Sequence, residues 1–148
     1  MKKNKSGILK ECLNLQESQV ERFEERLDSI KADVSSNNHS PSQTEDRKAG
    51  KVELIHNYEK ELVFAKLELN VLNSIKTDVI HNHIELGSVV YTKDLNFFIS
   101  VSIGKFSVDG IDFMGISTKA PIYKVMEGKK KGDTFSFNDA TYSIDELF

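Results

Sequence analysis

ILKECLNLQESQVERFEERLDSIKADV, residues 8–34, decides how the chain is read. Leu9, Leu13, Gln16, Val20, Phe23, Leu27, Ile30 and Val34 recur at spacings of 4-3-4-3-4-3-4, a helical seam with one polar member, Gln16. Glu21, Arg22, Glu24, Glu25, Arg26 and Asp28 fall between them, so the outer face is charged and the apolar stripe is narrow. A helix from Leu9 to Val34 runs about 39 Å. A second stripe follows with the same rhythm: Ile55, Tyr58, Leu62, Ala65, Leu69 and Leu72, continuing to Lys76 and Val79. Two narrow seams of matched length bury each other best as an antiparallel pair. A helix of an ordinary bundle would carry a wider apolar face than either has.

The connection, VSSNNHSPSQTEDRKAG at 34–50, is the sharpest change of composition. Its Ser, Asn, His and Pro residues suit no helix interior. Thr44 is a candidate cap for the second helix, with Glu45 and Asp46 in the first turn, where the helix dipole favours acids. Gly50 would weaken that turn and move the start toward Lys51. In either case two adjacent carboxylates lie at the loop end of the hairpin.

Beyond Ile84 the period changes to two. NFFISVSI at 96–103 places Phe97, Ile99, Val101 and Ile103 on one face and Phe98, Ser100 and Ser102 on the other. Asp109-Gly110 separates FSV from IDFMGIS, a hairpin signal, and Asn138-Asp139-Ala140 separates TFSF from TYSI. Pro121 opens a short helical stretch, PIYKVMEG, which Gly128 can close. These signals predict an α+β chain: residues 1–78 as an antiparallel coiled-coil hairpin with its tip at about 35–50, and residues 79–148 as an antiparallel sheet of four or five strands with one short helix. Most of the nine phenylalanines fall in this second part and help to fill a small core.

The 148 residues carry a net charge of −3, with 39% hydrophobic and 29% charged. Up to Asp78 there are 13 basic and 14 acidic residues, and after it 7 and 9, so neither half is a polycation that binds nucleic acid by counterion release. Cys12 is the single cysteine, which excludes an internal disulfide and a multi-cysteine zinc site. The basic N-terminus lacks the apolar run of a signal peptide, and no stretch approaches a membrane span. The expectation is a cytoplasmic protein with no membrane contact. No nucleophile–base pair, phosphate-cradling loop or cofactor motif is present, so no independent catalysis is expected.

IELGSVVYTKD at 84–94 and APIYKVMEGKKKGDTFSF at 120–137 resemble the C-terminal domain of the GreA/GreB transcript-cleavage factors. The shared features are Gly87-Ser88-Val89 opening a strand, the proline-led helix from Pro121 to Gly128, and the turn Gly128-Lys129-Lys130-Lys131-Gly132-Asp133 entering the last hairpin. With a helical hairpin ahead of it, the chain is similar to the short Gre-like proteins common in Bacteroidetes. The resemblance implies an FK506-binding-protein-like sheet domain docking on the rim of the RNA polymerase secondary channel through Lys119, Ala120, Pro121 and Ile122. It also implies a hairpin that enters the channel and a monomer in solution. Tip acids, here Asp46 with Glu45 beside it, would share a magnesium ion with the polymerase active centre and stimulate cleavage of backtracked RNA. No cofactor is bound alone, and RNA and DNA are met only through the elongation complex.

The chain departs from that pattern at named positions. The family tip carries Asp-x-x-Glu; Asp46 matches, but the second acid falls on Ala49. Glu45 points about 100° away from Asp46 on a helix. Lys119 and Ala120 stand where the family often has an acid and a serine, and Tyr123 stands in place of a tight glycine. A non-cleaving, channel-occluding inhibitor and a pure coiled-coil interaction protein therefore remain as alternatives, with an isomerase built on the second domain behind them. His81-Asn82-His83 reads as a solvated linker rather than a metal pair, Lys129 to Lys131 as an exposed turn, and Cys12 as a partly buried group beside the seam.

Overall fold

The computed structural model describes residues 4–35 and 41–148, and the side chains of these except 35 and 41–49. Two helices, α1 (Lys5–Ser35) and α2 (Pro41–Ser74), precede β1 (Val89–Thr92), β2 (Asn96–Ser100), β3 (Gly104–Val108), β4 (Ile111–Ser117), α3 (Pro121–Met126), β5 (Thr134–Phe137) and β6 (Ala140–Leu147). The chain is α+β. It divides into two compact units, one of Gln16–Leu69 and one of Met1–Leu15 with Asn70–Phe148.

In the unit Gln16–Leu69 the helices run antiparallel: contacts go from Gln16 with Ala65, through Phe23 with Tyr58, to Asp33 with Lys51. Both seams are real. Gln16, Leu27 and Ala65 are buried, while Val20, Phe23, Ile30, Ile55, Tyr58, Leu62 and Leu69 are half-buried, the degree expected of a two-helix pair. Lys31–Glu59 and Lys66–Glu24, each at 3.3 Å, tie the flanks, and their exposure makes them worth little. α2 begins at Pro41, about a turn ahead of Thr44. Proline is suited to a first helical turn because its missing N–H has no partner to lose there. At the other end the helix stops at Ser74, so Lys76 and Val79 do not continue the stripe. Ile75, 9% exposed, takes the next buried position.

In the second unit Asn4 caps α1: its Oδ1 accepts the Gly7 N–H at 3.0 Å, and its Nδ2 donates to Asp109 at 2.8 Å. The six-stranded sheet has the order β3-β4-β2-β1-β6-β5. This corrects the expected four or five antiparallel strands, because β2 pairs with β4 in parallel while every other pair is antiparallel. A period of two is identical in both kinds of pairing, so the pattern could not show that β3 lies outside β4 and returns the chain beside β2.

Each face of the sheet has its own core. On one, Val89, Tyr91, Phe98, Phe106, Phe113 and Phe148 pack with Ile8, Leu9, Cys12 and Leu72 from the bases of α1 and α2, and with Ile75 just beyond α2. On the other, Val90, Phe97, Ile99, Phe135 and Ile144 pack under Tyr123 and Met126 of α3. All four residues of β1 are buried, as expected of a strand covered on both sides. Two expectations are corrected here. β2 ends at Ser100, so Val101 joins the Phe98 core rather than continuing the Phe97–Ile99 face. Cys12 is fully buried beneath the sheet, and that burial pushes its thiol up to about 12, which makes it unreactive.

Candidate functional site

Glu45 and Asp46 fall within the span of α2, but their side chains lie outside the described residues. The other candidate segment, Lys119 to Ile122, forms the turn from β4 into α3. The Ser117 hydroxyl accepts the Lys119 N–H at 3.1 Å, and the Ser117 carbonyl accepts the Ala120 N–H at 3.0 Å. Ala120 holds an extended conformation with ψ 145° ahead of Pro121, the backbone that a following proline requires. Ala120 and Ile122 rest against the core under α3, while Lys119 and Pro121 are exposed. The segment is a fixed knuckle offering one cation and one proline ring. Tyr123 is 8% exposed and fills that core.

A cluster that sequence reasoning treated as solvated linker is in fact structured. Glu85 holds His81 Nδ1 at 2.5 Å with one carboxylate oxygen and His83 Nε2 at 2.9 Å with the other. His81 is 8% exposed, whereas His83 is half-buried. The hydrogen bond from His81 holds the Glu85 carboxyl below its usual range. Ser88 braces the loop by accepting the Glu85 N–H at 3.0 Å and donating to the His83 carbonyl at 3.3 Å. The ammonium of Lys5, at the start of α1, donates to the Val79 carbonyl at 2.7 Å, and burial lowers it to about 8. The signal lay in the alternation His81-Asn82-His83-Ile84-Glu85, which brings three polar side chains together around a buried Ile84.

The two imidazoles address opposite oxygens of one carboxylate, which suits a clamp rather than a coordination site. Among the described residues no three His, Cys, Asp or Glu side chains are gathered to hold a metal. The Ser88 hydroxyl bonds main-chain groups and neither imidazole, so the cluster lacks an activated nucleophile. No described helix is long and apolar enough to cross a membrane. A second unforeseen feature is on α2, where Val63, Phe64 and Leu67 are 56–58% exposed outside the seam.

No family model matches the sequence, and no curated protein matches it. Among solved structures, the chain is similar to the crystal structure of GreA factor homolog 1 (Gfh1) of Thermus thermophilus, with 19% identity over 92% of this chain and 94% of that one and a TM-score of 0.35. A structure described as the transcription factor Gfh1 shares 18% identity over 90% of this chain and 93% of that one, with a TM-score of 0.31.

Proposed function

We propose that this protein is a transcription elongation regulator that binds core RNA polymerase at its secondary channel and acts on backtracked complexes. The observation that carries this reading is the order of parts: antiparallel helices of 31 and 34 residues, then a sheet domain bearing the Gre-like motifs. Those motifs fall at consistent places in the fold. Gly87-Ser88-Val89 leads into β1, Pro121 opens α3, and Gly128 to Asp133 is the turn before β5. In this reading the paired helices enter the channel and the Lys119–Ile122 knuckle docks on its rim. Asp46 would supply one carboxylate to the polymerase's own magnesium, and a divalent ion held there would provide Lewis-acid chemistry for hydrolysis of the RNA. The protein is cytoplasmic, meets RNA and DNA only through the polymerase, and has no catalytic residue of its own.

Ala49 favours a second reading, in which the hairpin occludes the channel without stimulating cleavage. A hard divalent ion held by one tip carboxylate gains less than from the two of the family pattern. The deciding experiment is co-purification with core polymerase, followed by a transcript-cleavage assay on stalled complexes with the intact protein and Asp46→Ala. Shortened RNA that depends on Asp46 supports the first reading. Polymerase binding with slowed elongation and no cleavage supports the second, and no polymerase binding rejects both.

A further inference from the structure

Gln16 is the polar member of the α1 seam, yet at 5% exposed it is more deeply buried than Val20, Phe23 or Ile30 on the same stripe. Its Nε2 donates to the main-chain carbonyl of Ala65 at 2.9 Å. That carbonyl belongs to the interior of α2 and already serves the helix, so the amide uses a spare lone pair of the oxygen. It can approach because residue 65 is alanine, 3% exposed and the smallest member of the α2 seam. The neighbouring seam positions are Leu62 and Leu69. If α2 slid by one turn in either direction, a leucine side chain would cover the carbonyl facing Gln16, and the amide would be buried without a partner. An aliphatic residue at 16 would tolerate all three alignments. A single polar residue in an apolar seam is a known means of choosing one register at some cost in stability.

We infer that Gln16 is a positioning residue that sets the stagger of α2 along α1, through the fit of its amide to Ala65. Together the pair excludes alignments that the 4-3 spacing alone would permit. Under the function proposed above, on which this consequence rests, the stagger also determines how far along α1 Asp46 is carried. Gln16 thereby governs the reach of the tip without touching it.

The test places spin labels on the full chain at Glu25→Cys and Val63→Cys, both exposed. Cys12 is fully buried and does not take the label. With Gln16 present, the distance distribution has a single narrow peak. In Gln16→Leu a second peak appears, displaced by the part of an axial slide of about 5 Å, one helical turn, that falls along the line between the labels, and holding about 10% of the molecules or more. The urea midpoint of the variant stays level or rises, which separates loss of register from loss of fold. A single unchanged peak overturns the inference whether the midpoint rises or falls, because Gln16 is then an ordinary seam residue. A split distribution with unchanged polymerase-dependent cleavage upholds the register role and counts against the functional reading. A split distribution with weakened cleavage supports both.

Discussion

Gly87 shows how much one residue can be asked to do. Its φ of +92° is a conformation that L side chains avoid, and a Cβ there would stand 3.2 Å from His81 Nε2 and 3.3 Å from Ile75 Cγ2. Gly87→Ala therefore meets backbone strain and a crowded imidazole together. We expect a loss of about 2 kcal/mol, on the scale of a forced left-handed residue, measured as a lower urea midpoint at unchanged slope. Lys5 makes the opposite kind of statement. Its folded value of about 8 lies below the ordinary 10.5, so the folded chain releases the proton before the unfolded one does. The burial penalty is complete below pH 8, and stability attributable to this group rises between about pH 8 and 10.5. Lys5→Met should be more stable than the parent at pH 7, by on the order of 1–3 kcal/mol less the lost bond to Val79. That advantage should shrink by pH 10, as denaturation of both proteins at the two pH values would show. Glu85 has the carboxylate sign: its contribution is present above its usual 4.5 and is lost as the pH falls below that.

At the scale of elements, the two hairpins follow their turn residues. Asp109-Gly110 and Asn138-Asp139 all have positive φ, from 51° to 78°, the geometry of two-residue turns that match the twist of the strands. Asp139, at φ 64°, occupies the second position, where glycine is preferred. Asp139→Gly should raise stability by about 0.5–1 kcal/mol, with the thermal midpoint as the measure. These turns were legible because their chemistry is local. The parallel pairing of β2 with β4 was not, since it depends on where β3 is placed after both hairpins have formed. The clamp of His81 and His83 on Glu85 was missed for a related reason. Alternating polar residues in a short segment outside any helix or strand look solvated until their neighbours are known. The core under α3 was half legible: Pro121 announced the helix, but nothing local told that Tyr123 would be buried.

For the molecule as a whole, the two units differ in how much they bury. Among the described residues, Gln16–Leu69 buries only Gln16, Leu27 and Ala65, whereas the other unit holds two aromatic-rich clusters. Amide exchange should follow that difference, because local opening costs least where little apolar surface is covered. Amides of α1 and α2 between Gln16 and Leu69 should exchange well before those of β1 and β2, read residue by residue by NMR. Uniform protection across both units would show that the paired helices borrow stability from more than their own seam. What the sequence determined by itself was everything set by periodicity and local chemistry: two narrow helical seams, their antiparallel pairing, the two hairpin turns and the proline-led helix. Only the tertiary structure decided that the bases of α1 and α2, with Cys12 among them, cover one face of a mixed sheet, and that Gln16 meets Ala65. Those facts depend on which distant surfaces exclude water together. A one-dimensional pattern reports which face of an element is apolar but not which partner will cover it.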